Sequence, residues 1–171
     1  MKKNKVSIVI VSWNVRELLK KCLTSIYKFQ GNLELEVIIV DNNSNDGTVE
    51  MIKNDFTSAK AIANSSNSGF ATANNQGILE STGEYILVLN PDTEIIKNSL
   101  EKMVEFMESN EKIGVGGCTH LNTNLTLQAS VRRFPVFWAI FFIFTKLTKF
   151  FPNIPSVFYY LAKDFDYKVT Q

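Results

Sequence analysis

The sequence predicts an α/β fold: a Rossmann-like, mainly parallel sheet flanked by helices, followed by an aromatic-rich helical tail. Three observations carry this prediction. Apolar runs of strand length alternate with segments of helical periodicity through the first part of the chain. Polar residues gather where the predicted strands end. The composition then changes near Arg132-Arg133-Phe134-Pro135: 13 of the 20 aromatics lie in the last 38 residues, whereas all eight glycines precede residue 118. This places a boundary between an α/β domain at 1–133 and a helical segment at 134–171.

The elements follow in order. Val6–Ser12 is a β-branched run, as expected of a strand covered on both faces. Arg16–Phe29 repeats Leu18, Leu19, Cys22, Leu23 and Ile26 at helical spacing. Leu35–Val40 is a second buried strand. It ends at Asp41, and Asn42 to Thr48 form a polar turn cluster. Thr48–Phe56 reads as a short helix, Ala59–Ala63 as a weaker strand, and Gly69–Ser81 as a helix opened by a glycine. Tyr85–Leu89 is a third clear strand and runs into Asn90-Pro91-Asp92-Thr93-Glu94. Asn98–Glu108 places Leu100, Met103, Val104 and Met107 on one helix face. Ile113–Leu121 and Thr126–Val131 are read as two further strands.

Composition excludes several functional classes. A chain of 171 residues can bury a real core. Its 18 Lys and Arg against 17 Asp and Glu leave a formal +1, which argues against a nucleic-acid binder acting through bulk charge. Two cysteines do not make a disulfide scaffold, and Cys22 and Cys118 are read as reduced and buried. The basic start and the apolar run Val6–Val11 imitate a signal peptide. The run is too short, however, and no small-residue cleavage site follows. A cytoplasmic location is therefore expected. His120 is the single histidine, and no His/Cys pattern suits zinc. Neither GxGxxG nor GxxxxGK[ST] occurs, and Gly114-Val115-Gly116-Gly117 has the wrong spacing.

Ligands of a parallel sheet bind at the carboxyl ends of its strands. That topology singles out Ser12-Trp13-Asn14, Asp41, and Asn90 to Asp92. Asp41 can accept a hydrogen bond from a nucleotide base or ribose, or can form an Asx turn. Asp92 can hold Mg²⁺ or Mn²⁺ together with phosphate oxygens, or can simply mark a helix start. Asn67-Ser68-Gly69 and Asn74 can approach a ligand through backbone and amide groups, or Asn67 or Ser68 can cap a helix.

These segments, taken together, resemble the family 2 glycosyltransferases, inverting enzymes of the GT-A fold. The matching stretches are Val6–Asn14, Val40–Thr48, Asn67–Gly77 and Leu87–Asp92, in that order and spacing. Ser130-Val131-Arg132-Arg133-Phe134-Pro135 further resembles the rhamnosyltransferase-like branch, which builds cell-surface polysaccharides. The resemblance implies that Ser12 and Trp13 line a nucleotide pocket, with the Trp13 ring against the base. It implies that Asp41 binds base or ribose and that Asn67, Gly69 and Asn74 flank the nucleotide sugar. Asn90 and Asp92 occupy a D-x-D-like metal motif, which leaves Asp92 as the metal carboxylate. With one charge fewer, the divalent cation is expected to bind weakly without nucleotide. The implied donor is dTDP-rhamnose or a UDP-sugar, and the acceptor a glycan or a lipid-linked saccharide.

In this family the catalytic base belongs to the second half, in an acidic motif after an aromatic, Gly-rich stretch. Glu108, Glu111, Asp164 and Asp166 stand in no such context. The resemblance therefore implies a donor-binding half that keeps nucleotide affinity and lacks transfer on its own, its base unassigned. Two other classes stay open: a non-catalytic nucleotide- or sugar-binding module, and a membrane-surface interaction domain. The second rests on Phe134–Thr145, nearly all apolar yet too short to span a bilayer as a helix. That stretch can cover a further domain, lie peripherally on the inner face of the plasma membrane, or form local core. Left uncovered, it would promote self-association.

Overall fold

The computed structural model describes residues 4–110, 112–151 and 153–167, so Glu111 lies outside the described residues. Contacts divide the chain into two compact units, Met1–Gly116 and Gly117–Gln171.

The first unit is built on β1 (Lys5–Ser12), β2 (Glu34–Asp41), β3 (Lys60–Ala63) and β4 (Tyr85–Leu89). They form one sheet in the order β3-β2-β1-β4, and every pairing is parallel. Helices α1 (Arg16–Lys28), α2 (Thr48–Asp55), α3 (Phe70–Leu79) and α4 (Ser99–Glu108) connect or follow the strands. This is the predicted α/β arrangement.

Side-chain alternation sorts the two faces of the sheet. Val6, Ile8 and Ile10 of β1 and Val37 and Ile39 of β2 share one core with Leu19, Cys22, Leu23 and Ile26 of α1. Met51 and Ile52 of α2 and Leu100 and Val104 of α4 belong to the same core. Ile8, Ile10 and Ile39 are fully buried, and each contributes roughly 1.5–3 kcal/mol by its removal from water. On the opposite face Val11, Val40 and Ala73 of α3 pack together. Helix α3 crosses so closely that a Cβ on Gly77 would meet Val9 Cγ1 at 2.4 Å. Ile86 and Val88 of the edge strand β4 stay about half exposed.

The second unit contains β5 (His120–Leu121), β6 (Leu127–Gln128), α5 (Phe137–Phe144), a 3₁₀ turn (Leu147–Lys149) and α6 (Pro155–Tyr160). It begins earlier than the compositional boundary at 133/134 because segment 117–133 is tied to the tail. The Val131 N–H donates to Tyr167 Oη (3.0 Å) and the Arg133 N–H to the Tyr160 carbonyl (3.0 Å). The Arg133 guanidinium grips Asp164 with two bonds of 2.7 and 2.9 Å and lies over the Tyr159 ring.

Two expected strands need correction. Of Ile113–Leu121 and Thr126–Val131, only the two-residue pair His120–Leu121 and Leu127–Gln128 forms, antiparallel to each other. Gly114, Gly116 and Gly117 carry no side chains to pack, and the exposed segment gains nothing from extended pairing. The Cys118 reading is corrected as well: Cys118 is exposed and Cys22 is buried. Burial pushes the Cys22 thiol up to about 12.

Candidate functional site

Strand register brings the first two candidates together. Ser12 and Asp41 end β1 and β2 as direct partners. Both side chains are buried. Asp41 Oδ2 accepts the Ser44 N–H at 2.9 Å, which forms the Asx turn. Its Oδ1 has no hydrogen-bond partner, nor does Ser12 Oγ. Asn74 is buried on α3. Its Nδ2 donates to the Phe70 carbonyl (2.9 Å), and its Oδ1 is likewise without a partner. Among the described residues these are the only three buried side-chain polar atoms in that condition. Leaving such an atom unpaired costs about 1–3 kcal/mol; Ser12 and Asp41 end adjacent strands, and Asn74 follows Ala73, which packs on Val11 and Val40 of the same strands.

Loops fix the surroundings. Asn14 takes a positive φ of 54°; its N–H donates to Ser44 Oγ (2.9 Å), and its Oδ1 accepts the Asn45 N–H (2.8 Å). The Arg16 N–H donates to Asp46 Oδ2 (2.9 Å), which joins the loop after β1 to the loop after β2. Burial opposes ionisation of Asp46, but bonds from the Thr48 hydroxyl and from the Arg16 and Thr48 N–H groups outweigh it and lower its pKa. Trp13 projects from this braced loop with 56% of its surface exposed. A planar ring held there can stack on a base.

The Asn67 to Gly69 segment is held from below by Asn42, a buried residue to which sequence reasoning gave no role. Asn42 Oδ1 accepts from Asn64 Nδ2 (2.9 Å) and Ser68 Oγ (3.1 Å), and Asn64 Nδ2 also donates to Gln76 Oε1 (2.9 Å). Asn42 Nδ2 reaches the Gly69 carbonyl at 3.4 Å. The available signal was an amide directly after the strand-ending Asp41. Asn67 does not cap α3; its Oδ1 accepts the Gly69 N–H (2.9 Å). Gly69 itself stands at the helix start with φ +81°, a conformation that strains any other residue.

Asn90 and Asp92 follow β4, the neighbour of β1, and both are exposed. The Asn90 carbonyl accepts the Thr93 N–H (3.2 Å) and hydroxyl (2.6 Å), which folds the turn that presents Asp92. Among the described residues no group of three His, Cys, Asp or Glu side chains could hold a metal. The donors that exist are hard oxygens, one carboxylate and one amide. They fit Mg²⁺ or Mn²⁺ only as a cation shared with ligand phosphates.

A family model described as glycosyl transferase family 2 matches residues 7–163. The chain belongs to glycosyl transferase family 2.

Curated relatives and solved structures are similar to it. It is 31% identical over 114 residues to a poly-beta-1,6-N-acetyl-D-glucosamine synthase of Staphylococcus epidermidis, covering 64% of this chain and 27% of that one. It resembles the mannosyltransferase PcManGT of Pyrobaculum calidifontis, solved with GDP-Man and Mn²⁺ (TM-score 0.59, 20% identity, 71% of this chain and 37% of that one). S. aureus TarS 1-349 with UDP-GlcNAc is a second structural neighbour (TM-score 0.56, 24% identity, 67% and 38%). These neighbours share the GT-A fold. The chain spans less than half the length of the curated relatives it matches.

Proposed function

We propose that this family 2 chain supplies the donor-binding part of an inverting glycosyltransferase that builds a cell-surface polysaccharide. The observation that carries the reading is the trio of buried, unpartnered oxygens: Ser12 Oγ and Asp41 Oδ1 at the ends of adjacent parallel strands, and Asn74 Oδ1 on α3, the helix packed on those strands. Each can accept a hydrogen bond, and Ser12 Oγ can also donate one. Asp41 takes N–H or O–H groups of the base or ribose, and Ser12 lies beside it. The Trp13 ring covers the base. Asn67, Gly69 and Asn74 flank the nucleotide sugar.

Asn90 and Asp92 face the diphosphate and would hold a divalent cation with it. When bound, that cation neutralises charge developing on the leaving group. The acceptor hydroxyl oxygen attacks the anomeric carbon from the face opposite the diphosphate. The bond to the diphosphate oxygen breaks, a base takes the hydroxyl proton, and the configuration inverts. The base is not assigned to a residue.

The segment Ser130–Pro135 favours dTDP-rhamnose as donor over a UDP-sugar. Relatives and neighbours that handle cell-wall glycans and nucleotide sugars support the substrate class. A glycan or lipid-linked saccharide is the acceptor, which places the work at the cytoplasmic face of the plasma membrane.

The test is thermal stability with UDP, dTDP or GDP, each with and without Mn²⁺. One nucleotide at about 100 times its Kd stabilises by roughly 2.7 kcal/mol, in a Mn²⁺-dependent way. Asp92→Ala removes the Mn²⁺ dependence. No shift with any nucleotide overturns the reading.

A further inference from the structure

The unit at 117–171 has a surface that the donor site does not explain. Helix α5 reads Phe-Trp-Ala-Ile-Phe-Phe-Ile-Phe, and only Ala139 is buried. Phe137, Trp138, Phe141 and Phe144 are exposed, Phe144 at 81%. The first three rings form one patch, Phe137 to Trp138 at 5.3 Å, Trp138 to Phe141 at 6.0 Å and Phe137 to Phe141 at 6.4 Å, and Phe144 follows one turn on from Phe141. Beyond the helix, Phe150 and Phe151 are exposed and line an open cavity of about 580 Å³ with Phe142, Ile154 and Pro155.

Charge decides what covers this surface. Residues 117–171 carry six Lys and Arg against two Asp and Glu, a formal +4. Residues 1–116 carry 12 against 15, a formal −3. The near-neutral whole therefore hides a basic unit. Arg133 is spent on Asp164. Lys146 and Lys149 sit between the α5 patch and the Phe150-Phe151 cavity, exposed, and neither makes an ion pair among the described residues. Two copies meeting through this face would bring like charges together. An anionic surface meets the lysines with opposite charge and takes the rings into its apolar boundary. Eight helical residues span about 12 Å, far less than a bilayer core of roughly 30 Å. No helix among the described residues is long and apolar enough to cross a membrane. The geometry is that of a segment lying on a membrane.

We infer that the aromatic face of α5, with Phe150 and Phe151 and the flanking Lys146 and Lys149, docks on a bilayer rich in anionic phospholipid. The inference deepens the membrane-side placement proposed above. Nucleotide-induced stabilisation of the same preparation separates failure of one from failure of the other.

The full chain is sedimented with phosphatidylcholine vesicles, with and without phosphatidylglycerol. Binding is expected only to the anionic vesicles. It should fall as salt rises from about 0.1 M to about 1 M, where the Debye length shrinks from roughly 10 Å to 3 Å. Removing both charges in Lys146→Gln/Lys149→Gln weakens it about 25-fold, about fivefold per charge. Phe144→Glu, at an exposed position, abolishes it without lowering Tm. In a Trp13→Phe background, Trp138 emission shifts to the blue on binding. Equal binding to both vesicle types overturns the inference. So do retention by Phe144→Glu, an unmoved Trp138 spectrum, and a chain that self-associates in buffer and stays off the vesicles.

Discussion

Asp41 uses its two oxygens for two purposes. Oδ2 closes the turn onto Ser44, and Oδ1, buried and without a partner, is the atom proposed to take the ligand. Asp41→Asn preserves an acceptor for the turn but puts an N–H₂ where the free oxygen stood. The variant should melt within a few degrees of the parent and bind nucleotide roughly 10- to 100-fold more weakly, the size of a charge-assisted hydrogen bond; titration calorimetry reads the difference. Glu36 anchors the opposite end of the sheet. Burial opposes its ionisation, but the Ser7 hydroxyl, the Thr82 N–H and hydroxyl and the Lys5 charge outweigh it and lower its pKa from 4.5 to about 2. The stability from this group is complete above about 4.5 and drains away as pH falls toward about 2. Glu36→Gln should lose about 1–3 kcal/mol at neutral pH and show a flatter acid limb in denaturation at stepped pH. Asp41 was legible in the sequence because it ends an unbroken apolar run. The Asn42, Asn64 and Gln76 amides were not. Their meaning depends on two loops and helix α3 converging, and no local pattern announces that a buried amide will find its partners.

At the level of elements, α3 is the one laid closest to the sheet, and Gly77 makes that approach feasible. Gly77→Ala forces a methyl against Val9 Cγ1 and should destabilise by about 1–3 kcal/mol in urea unfolding. It should also loosen nucleotide binding, because Asn74 rides on the same helix. The strands β1 and β2 were readable because continuous β-branched runs have few alternatives once both faces are covered, and β4 because an apolar run of strand length leads into a polar turn. The stretch 113–121 misled for the opposite reason. Val115 is 90% exposed, and glycines flank it. A hydrophobic residue alone does not make a strand; it needs a neighbour to pair with and a face to bury. The start of α3 agrees with the reading of a helix opened by a glycine, and the capping alternative fails. Gly69, rather than Asn67 or Ser68, occupies the cap, because a positive φ is needed there.

Over the whole molecule, the junction of the two units is the run 112–119, which joins no sheet or helix and is exposed except for half-buried Ile113. Brief trypsin treatment should cut first after Lys112, with mass spectrometry finding a fragment ending there; first cleavage inside the sheet would contradict the division. The compositional break was legible as aromatics replacing glycines. The junction itself was not, since the hydrogen bonds that tie Val131 and Arg133 to Tyr167 and Tyr160 span about 30 residues of sequence. The two thiols give this division a practical use. Cys22 is sealed in the first unit and protonated at neutral pH, whereas Cys118 stands in the open within the junction segment, on its second-unit side. A maleimide dye will therefore find a single attachment point on the native chain, and it falls on the basic unit. The protein carries its own reporter position, from which tumbling and quenching on a lipid surface can be followed without introducing any cysteine.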